Sequence, residues 1–129
     1  MAARALSEAQ KSLSMLSMGK YSLVVFDGYR PQTAVDDFMS WSKDPEDIKM
    51  KDSYYPNIPD KTKLFELGYI AAQSSHSRGS TVDLSITFVG TKDSSLELLP
   101  MGSDFDVFDH VSHFNCPSID EQGKLNRRM

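Results

Sequence analysis

Residues 81–88 read "TVDLSITF", and their apolar and polar side chains alternate without a break. A period of two belongs to a β-strand, in which successive side chains point to opposite faces. Val82, Leu84, Ile86 and Phe88 are expected to face a core, with Asp83, Ser85 and Thr87 on the other side. Asp83 would then sit on a rigid element and point away from the packed interior, which is a good position for a ligand. "VGTKDSSLELL" (89–99) is expected to complete a hairpin through a polar turn and a second short strand.

The remaining punctuation supplies helices. Ser7 followed by Gln10 fits a capping box, and Leu13, Leu16 and Gly19 suit an amphipathic helix with a glycine past its end. "YSLVVF" (21–26) reads as a strand that "DGYRP" ends with a turn. Pro31 can begin a second helix, since its missing N–H has no partner in the first turn, and Val35, Phe38, Met39 and Ser42 follow at helical spacing. "DPEDIKMKDSYYPNIPD" (44–60) has three prolines and no stable period, so it is expected to be a long surface loop. Asp60 can cap a short helix, "KTKLFEL", closed by Gly68.

The chain has 129 residues, 40% hydrophobic and 25% charged, enough to close one core in a single domain spanning 1–129. A net charge of −4 and a pI near 5.2 argue against nucleic acid as a partner, because a phosphate backbone rewards a basic face. Cys116, the single cysteine, excludes an internal disulfide framework and suits a reducing compartment. The first residues lack the apolar core of a signal peptide, and no run approaches the roughly 20 apolar residues that span a bilayer. A cytoplasmic protein without a membrane partner is expected.

"SSHSRGSTVD" (74–83) places His76 seven residues before Asp83, with Gly79 between them. Glycine can adopt a backbone conformation closed to other residues, so the turn can fold the imidazole back toward the carboxylate. Zinc accepts nitrogen and carboxylate oxygen, and a catalytic site normally has three protein ligands and a water. On spacing alone, a surface histidine and a turn-capping aspartate remain the competing interpretation.

The same stretch resembles the S-x-H-x-x-G-x-x-x-D signature of zinc D-alanyl-D-alanine dipeptidases of the VanX type, in the wider group that includes lysostaphin-like and hedgehog-like folds. "FDGYRP" (26–31), "SYYPNI" (53–58), "MGSDFDVFD" (101–109) and "NRR" (126–128) are similar to family segments in the same order. The resemblance implies an α+β fold: a small, mainly antiparallel sheet with helices packed on one face and the metal site on the other. It implies that His76 and Asp83 are zinc ligands and that Arg30 stabilises the oxyanion of the tetrahedral intermediate. A permanently charged guanidinium with a rigid fork of donors suits that task. It further implies that Asp106 holds the free ammonium of a small dipeptide substrate by a charge-assisted hydrogen bond. Ser74 falls where the family has a serine near the substrate. Tyr54 and Tyr55 are candidates to wall the pocket, with packing at a core edge as the alternative.

Two departures bear on activity. The family's third ligand is a histidine in an E-x-x-H stretch whose glutamate is the general base, and no such stretch occurs in these 129 residues. His110 and His113 are spaced to share one turn, but a surface pair is the favoured interpretation. The chain is therefore expected to be a core fragment of such a dipeptidase, with marginal stability or self-association from exposed apolar surface. Two functions follow: zinc-dependent hydrolysis of D-Ala-D-Ala, in wall recycling or glycopeptide resistance, or a noncatalytic domain that keeps the fold.

Overall fold

The structure, a computed structural model, describes residues 2–90 and 96–129. Among the described residues, four α-helices, a two-stranded antiparallel sheet and several 3-10 turns make up an α+β architecture. The chain forms two compact units, one from Met1–Pro31, Ser74–Leu99 and Met129, the other from Gln32–Gln73 and Pro100–Arg128.

In the first unit, helix α1 (Ala2–Leu16) packs against strand β1 (Tyr21–Asp27), which pairs with β2 (Asp83–Phe88). The helix starts five residues before the expected Ser7 cap, because "AARAL" consists of strong helix formers and carries the helix through Ser7. Gln10 does not close a capping box. Its Oε1 accepts from the backbone N–H of Leu23 at 2.7 Å, and its Nε2 donates to the Tyr21 carbonyl at 3.4 Å, tying helix to strand. Gly19, at φ +76°, ends the helix as its position predicts.

The ladder runs from Tyr21 opposite Phe88 to Val25 opposite Leu84, and then a bulge at Phe26 brings Asp27 opposite Asp83. Without that extra residue Asp27 would share the face of Val25; with it, Asp27 shares the face of Asp83. The period-two assignment of β2 holds, but the expected burial does not. Ile86 is buried, whereas Leu84 and Phe88 are 44% and 37% exposed, and Ser85 and Thr87 are buried instead. Two strands are too narrow a sheet to cover all of an apolar face. Thr87 meets its burial by donating to the Glu97 carbonyl at 2.7 Å. The chain returns beside β2 through a single antiparallel bridge, Thr87 to Leu98, with the Leu99 N–H donating to the Ile86 carbonyl at 2.8 Å. The turn expected at 91–95 lies outside the described residues.

The second unit is built around Tyr55, Ile58, Leu64 and Ile70, which are buried together with Phe38, Met39, Trp41, Tyr54, Tyr69 and Phe108 packed on them. Helix α2 (Gln32–Lys43) begins directly after Pro31 and buries Val35 and Ser42. The proline-rich segment is mostly exposed, as expected of a surface loop, but it is not without structure. It forms a one-turn helix, α3 (Lys51–Tyr54), and then drives Tyr55 and Ile58 into the core at 1% and 7% exposure. The prolines break the period while leaving the apolar residues free to pack. Asp60 caps as expected, its Oδ1 accepting from the Thr62 N–H at 2.9 Å, though the helix it starts is a 3-10 turn over Lys61–Lys63 only. Helix α4 (Glu121–Asn126) lies near the end of the chain, capped by Asp120.

Candidate metal centre

The stretch from Ser74 to Gly79 folds as a 3-10 turn over Ser75–Arg78. Ser74 is its cap, its Oγ accepting from the His76 N–H at 3.2 Å, so this serine orients the backbone of the histidine. Gly79 ends the turn at φ +64°, in the left-handed region, and its N–H donates to the His76 carbonyl at 2.9 Å. The predicted turn chemistry is therefore present, and it sends the chain directly into β2 with Asp83 as the first strand residue.

His76 is buried, and both ring nitrogens have neighbours. Nδ1 lies 2.9 Å from the Gly28 carbonyl oxygen, which can only accept, so Nδ1 carries the proton. In the neutral ring Nε2 then presents a lone pair, and Asp83 Oδ1 lies 3.4 Å from it. That separation exceeds an N–H···O bond of about 2.7–3.2 Å. Two donors bound tetrahedrally to one ion at about 2.0–2.2 Å would stand about 3.3–3.6 Å apart, which is the spacing here. A backbone carbonyl fixing the tautomer of a ligating imidazole is also a common supporting arrangement. The donor set and its geometry fit a zinc-type cation.

Arg30 lies beside this pair. Its Nε donates to Asp27 Oδ2 at 2.7 Å, and Nη2 is 2.5 Å from the same oxygen and 3.6 Å from Asp83 Oδ2. Like charges directly opposite in a ladder repel, and the guanidinium relieves that repulsion between Asp27 and Asp83. Asp27, His76 and Asp83 each offer a donor atom within 4.8 Å of the others, and they form the only such trio among the described residues. Sequence reasoning named three residues of this cluster, Arg30, His76 and Asp83, and missed Asp27 and the Gly28 carbonyl. The only available signal was their place within "FDGYRP", since alternation along β1 puts Asp27 on the wrong face until the bulge is known.

The other candidates belong to the second unit. Asp106 has a left-handed backbone at φ 58°, a conformation that aspartate tolerates better than most residues. Tyr54 and Tyr55 pack in the core, with the Tyr55 ring edge-on to Trp41 at 5.8 Å between centroids. The rings of His110 and His113 lie 5.1 Å apart between centroids, tilted by 51°, and His110 Nδ1 is 3.3 Å from Cys116 Sγ. No helix is long and apolar enough to cross a membrane among the described residues.

The family model described as D-ala-D-ala dipeptidase, peptidase M15, matches residues 1–129. The D-alanyl-D-alanine dipeptidase of Enterococcus faecalis is 46% identical over 126 residues, which is 98% of this chain and 58% of that protein. Those of Enterococcus faecium and Streptomyces coelicolor are 44% and 43% identical over 92% and 96% of this chain, covering 56% and 57% of their own lengths. The chain thus spans little more than half the length of these curated relatives.

Proposed function

The chain belongs to the M15 peptidase family of D-Ala-D-Ala dipeptidases, and from that membership we propose that it carries the core of a zinc-dependent active site for hydrolysing D-Ala-D-Ala. The observation that carries the proposal is the 3.4 Å pairing of His76 Nε2 with Asp83 Oδ1, with Arg30 next to it. His76 and Asp83 would hold the metal. When bound, zinc supplies Lewis-acid polarisation of a peptide carbonyl.

The chain's own residues supply the rest of the environment. The Gly28 carbonyl keeps the proton on His76 Nδ1, so Nε2 remains a donor of its lone pair. Arg30 offers N–H groups to the scissile carbonyl oxygen as it gains negative charge, an interaction stronger in the transition state than in the bound substrate. Ser74 holds the turn that carries His76. On the resemblance alone, Asp106 accepts from the free ammonium of the dipeptide, and Tyr54 and Tyr55 shape its surroundings.

A noncatalytic domain is the second reading, favoured by one observation: of the three potential donors, Asp27 is already held by Arg30, which leaves His76 and Asp83 open at the site. Release of D-alanine from D-Ala-D-Ala in the presence of zinc separates the two. Turnover that disappears in His76→Ala supports the dipeptidase. Zinc binding without turnover supports the noncatalytic domain.

A further inference from the structure

We propose that Asp27 is a positioning residue for Arg30 and not a ligand of the metal, an inference that rests on the dipeptidase reading of the site. The compact trio of Asp27, His76 and Asp83 invites the opposite assignment, three protein ligands around one cation. Three observations decide against it.

First, Oδ2 of Asp27 is already engaged by two nitrogens of Arg30, at 2.7 and 2.5 Å. A permanent positive charge on that oxygen competes with a second cation there. Second, Asp27 meets the imidazole from the wrong side. Its Oδ2 lies 3.8 Å from His76 Nδ1, the nitrogen already turned to Gly28, whereas Asp83 faces Nε2. Third, the bulge at Phe26 places Asp27 opposite Asp83, so that Arg30, three residues on, reaches from one carboxylate toward the other. One short turn, Asp27 to Arg30, thereby performs two tasks. Its Gly28 carbonyl sets the tautomer of the ligand, and its Asp27 carboxylate holds the guanidinium fork beside that ligand's partner. The Arg30 N–H, donating to the His76 carbonyl at 3.4 Å, links the same two segments again.

The test compares the unsubstituted chain with Asp27→Asn, which is isosteric, and Asp27→Glu, which keeps the charge; His76→Ala serves as the ligand control. Zinc affinity is measured by competition with a chromophoric chelator, and the Arg30 Nε–H resonance is followed by NMR without added metal. The expected result is that Asp27→Asn leaves zinc affinity within about 3-fold, while His76→Ala lowers it by at least the roughly 10-fold typical of lost metal-site contacts. The Arg30 resonance, slowly exchanging in the unsubstituted chain, exchanges rapidly in Asp27→Asn and is partly restored in Asp27→Glu. In D-Ala-D-Ala turnover, Asp27→Asn lowers kcat by about 10–100-fold with little change in KM, as expected for a misplaced catalytic group.

Loss of zinc affinity in Asp27→Asn equal to that in His76→Ala overturns the inference and makes Asp27 a ligand. An Arg30 resonance indifferent to Asp27→Asn overturns it as well. Failure of the unsubstituted chain to bind zinc or turn over dipeptide counts against the dipeptidase reading instead, and the Arg30 resonance then decides the role of Asp27 by itself.

Discussion

His76 has two ring nitrogens, and each is assigned to a different neighbour: Nδ1 to the Gly28 carbonyl, Nε2 to the side of Asp83. That division matters because a neutral imidazole can donate from one nitrogen and ligate through the other, but cannot ligate through both when one carries the proton. Arg30 depends in the same way on fork geometry, with Nε and Nη2 both turned to Asp27. Arg30→Lys keeps the charge but removes the planar fork. If the guanidinium stabilises an oxyanion, Arg30→Lys should lower kcat by about 10²–10³ with zinc affinity little changed, as for other lost oxyanion donors. Steady-state kinetics beside a zinc titration checks both halves of that expectation.

The elements around these residues are short, and turns set their aim. Gly79 is the clearest case, since its φ of +64° is required while a Cβ there would meet no atom within 4 Å. The cost of Gly79→Ala is therefore backbone strain rather than a clash. Urea unfolding should show it as a loss of about 1–2 kcal/mol, the usual penalty for a non-glycine residue in the left-handed region. This turn was readable from "SHSRGS" because Gly79 offers the backbone freedom that a tight turn needs, whereas the capping task of Ser74 was not. Nor was the bulge in β1. Its signal lies in the pairing of Asp27 with Asp83 across 56 positions of chain, and local alternation predicts the opposite face. The burial of β2 was misjudged for a related reason. Alternation separates two faces but does not say which is covered, and here Ser85 and Thr87 are buried while Leu84 is half-exposed. In the proline-rich segment the surface exposure was legible but the core contacts were not, because lack of period argues against a long helix and says nothing against Tyr55 and Ile58 packing singly into a core.

Each unit of the molecule has its own means of support. The first relies on the β1–β2 ladder and on the Gln10 amide that ties α1 to it. The second has a conventional apolar core with Leu64 fully buried at its centre. Leu64→Ala should lower unfolding free energy by about 2–5 kcal/mol, the range for a buried leucine that leaves a cavity. Asp109 adds a pH-dependent contribution in the same unit. The Val111 N–H at 3.0 Å and the Asn57 amide at 2.6 Å both donate to its carboxylate, and together they hold its pKa below the ordinary aspartate value. A carboxylate depressed in the folded state stabilises fully above its unfolded pKa of about 3.9, and that stabilisation is lost as pH falls through the lower folded value. Denaturant melts from pH 6 downward should therefore show a loss of stability below about pH 4 that is smaller in Asp109→Asn.

The proposed function needs His76 and Asp83 to act together on one metal ion. Zinc titration of the unsubstituted chain, His76→Ala and Asp83→Asn, with folding verified by circular dichroism, tests that requirement. The expected result is about one zinc per chain, with affinity reduced at least about tenfold by each substitution. A folded, unsubstituted chain that takes up no zinc, or a variant that binds it as tightly as the parent, would contradict the assignment of this site.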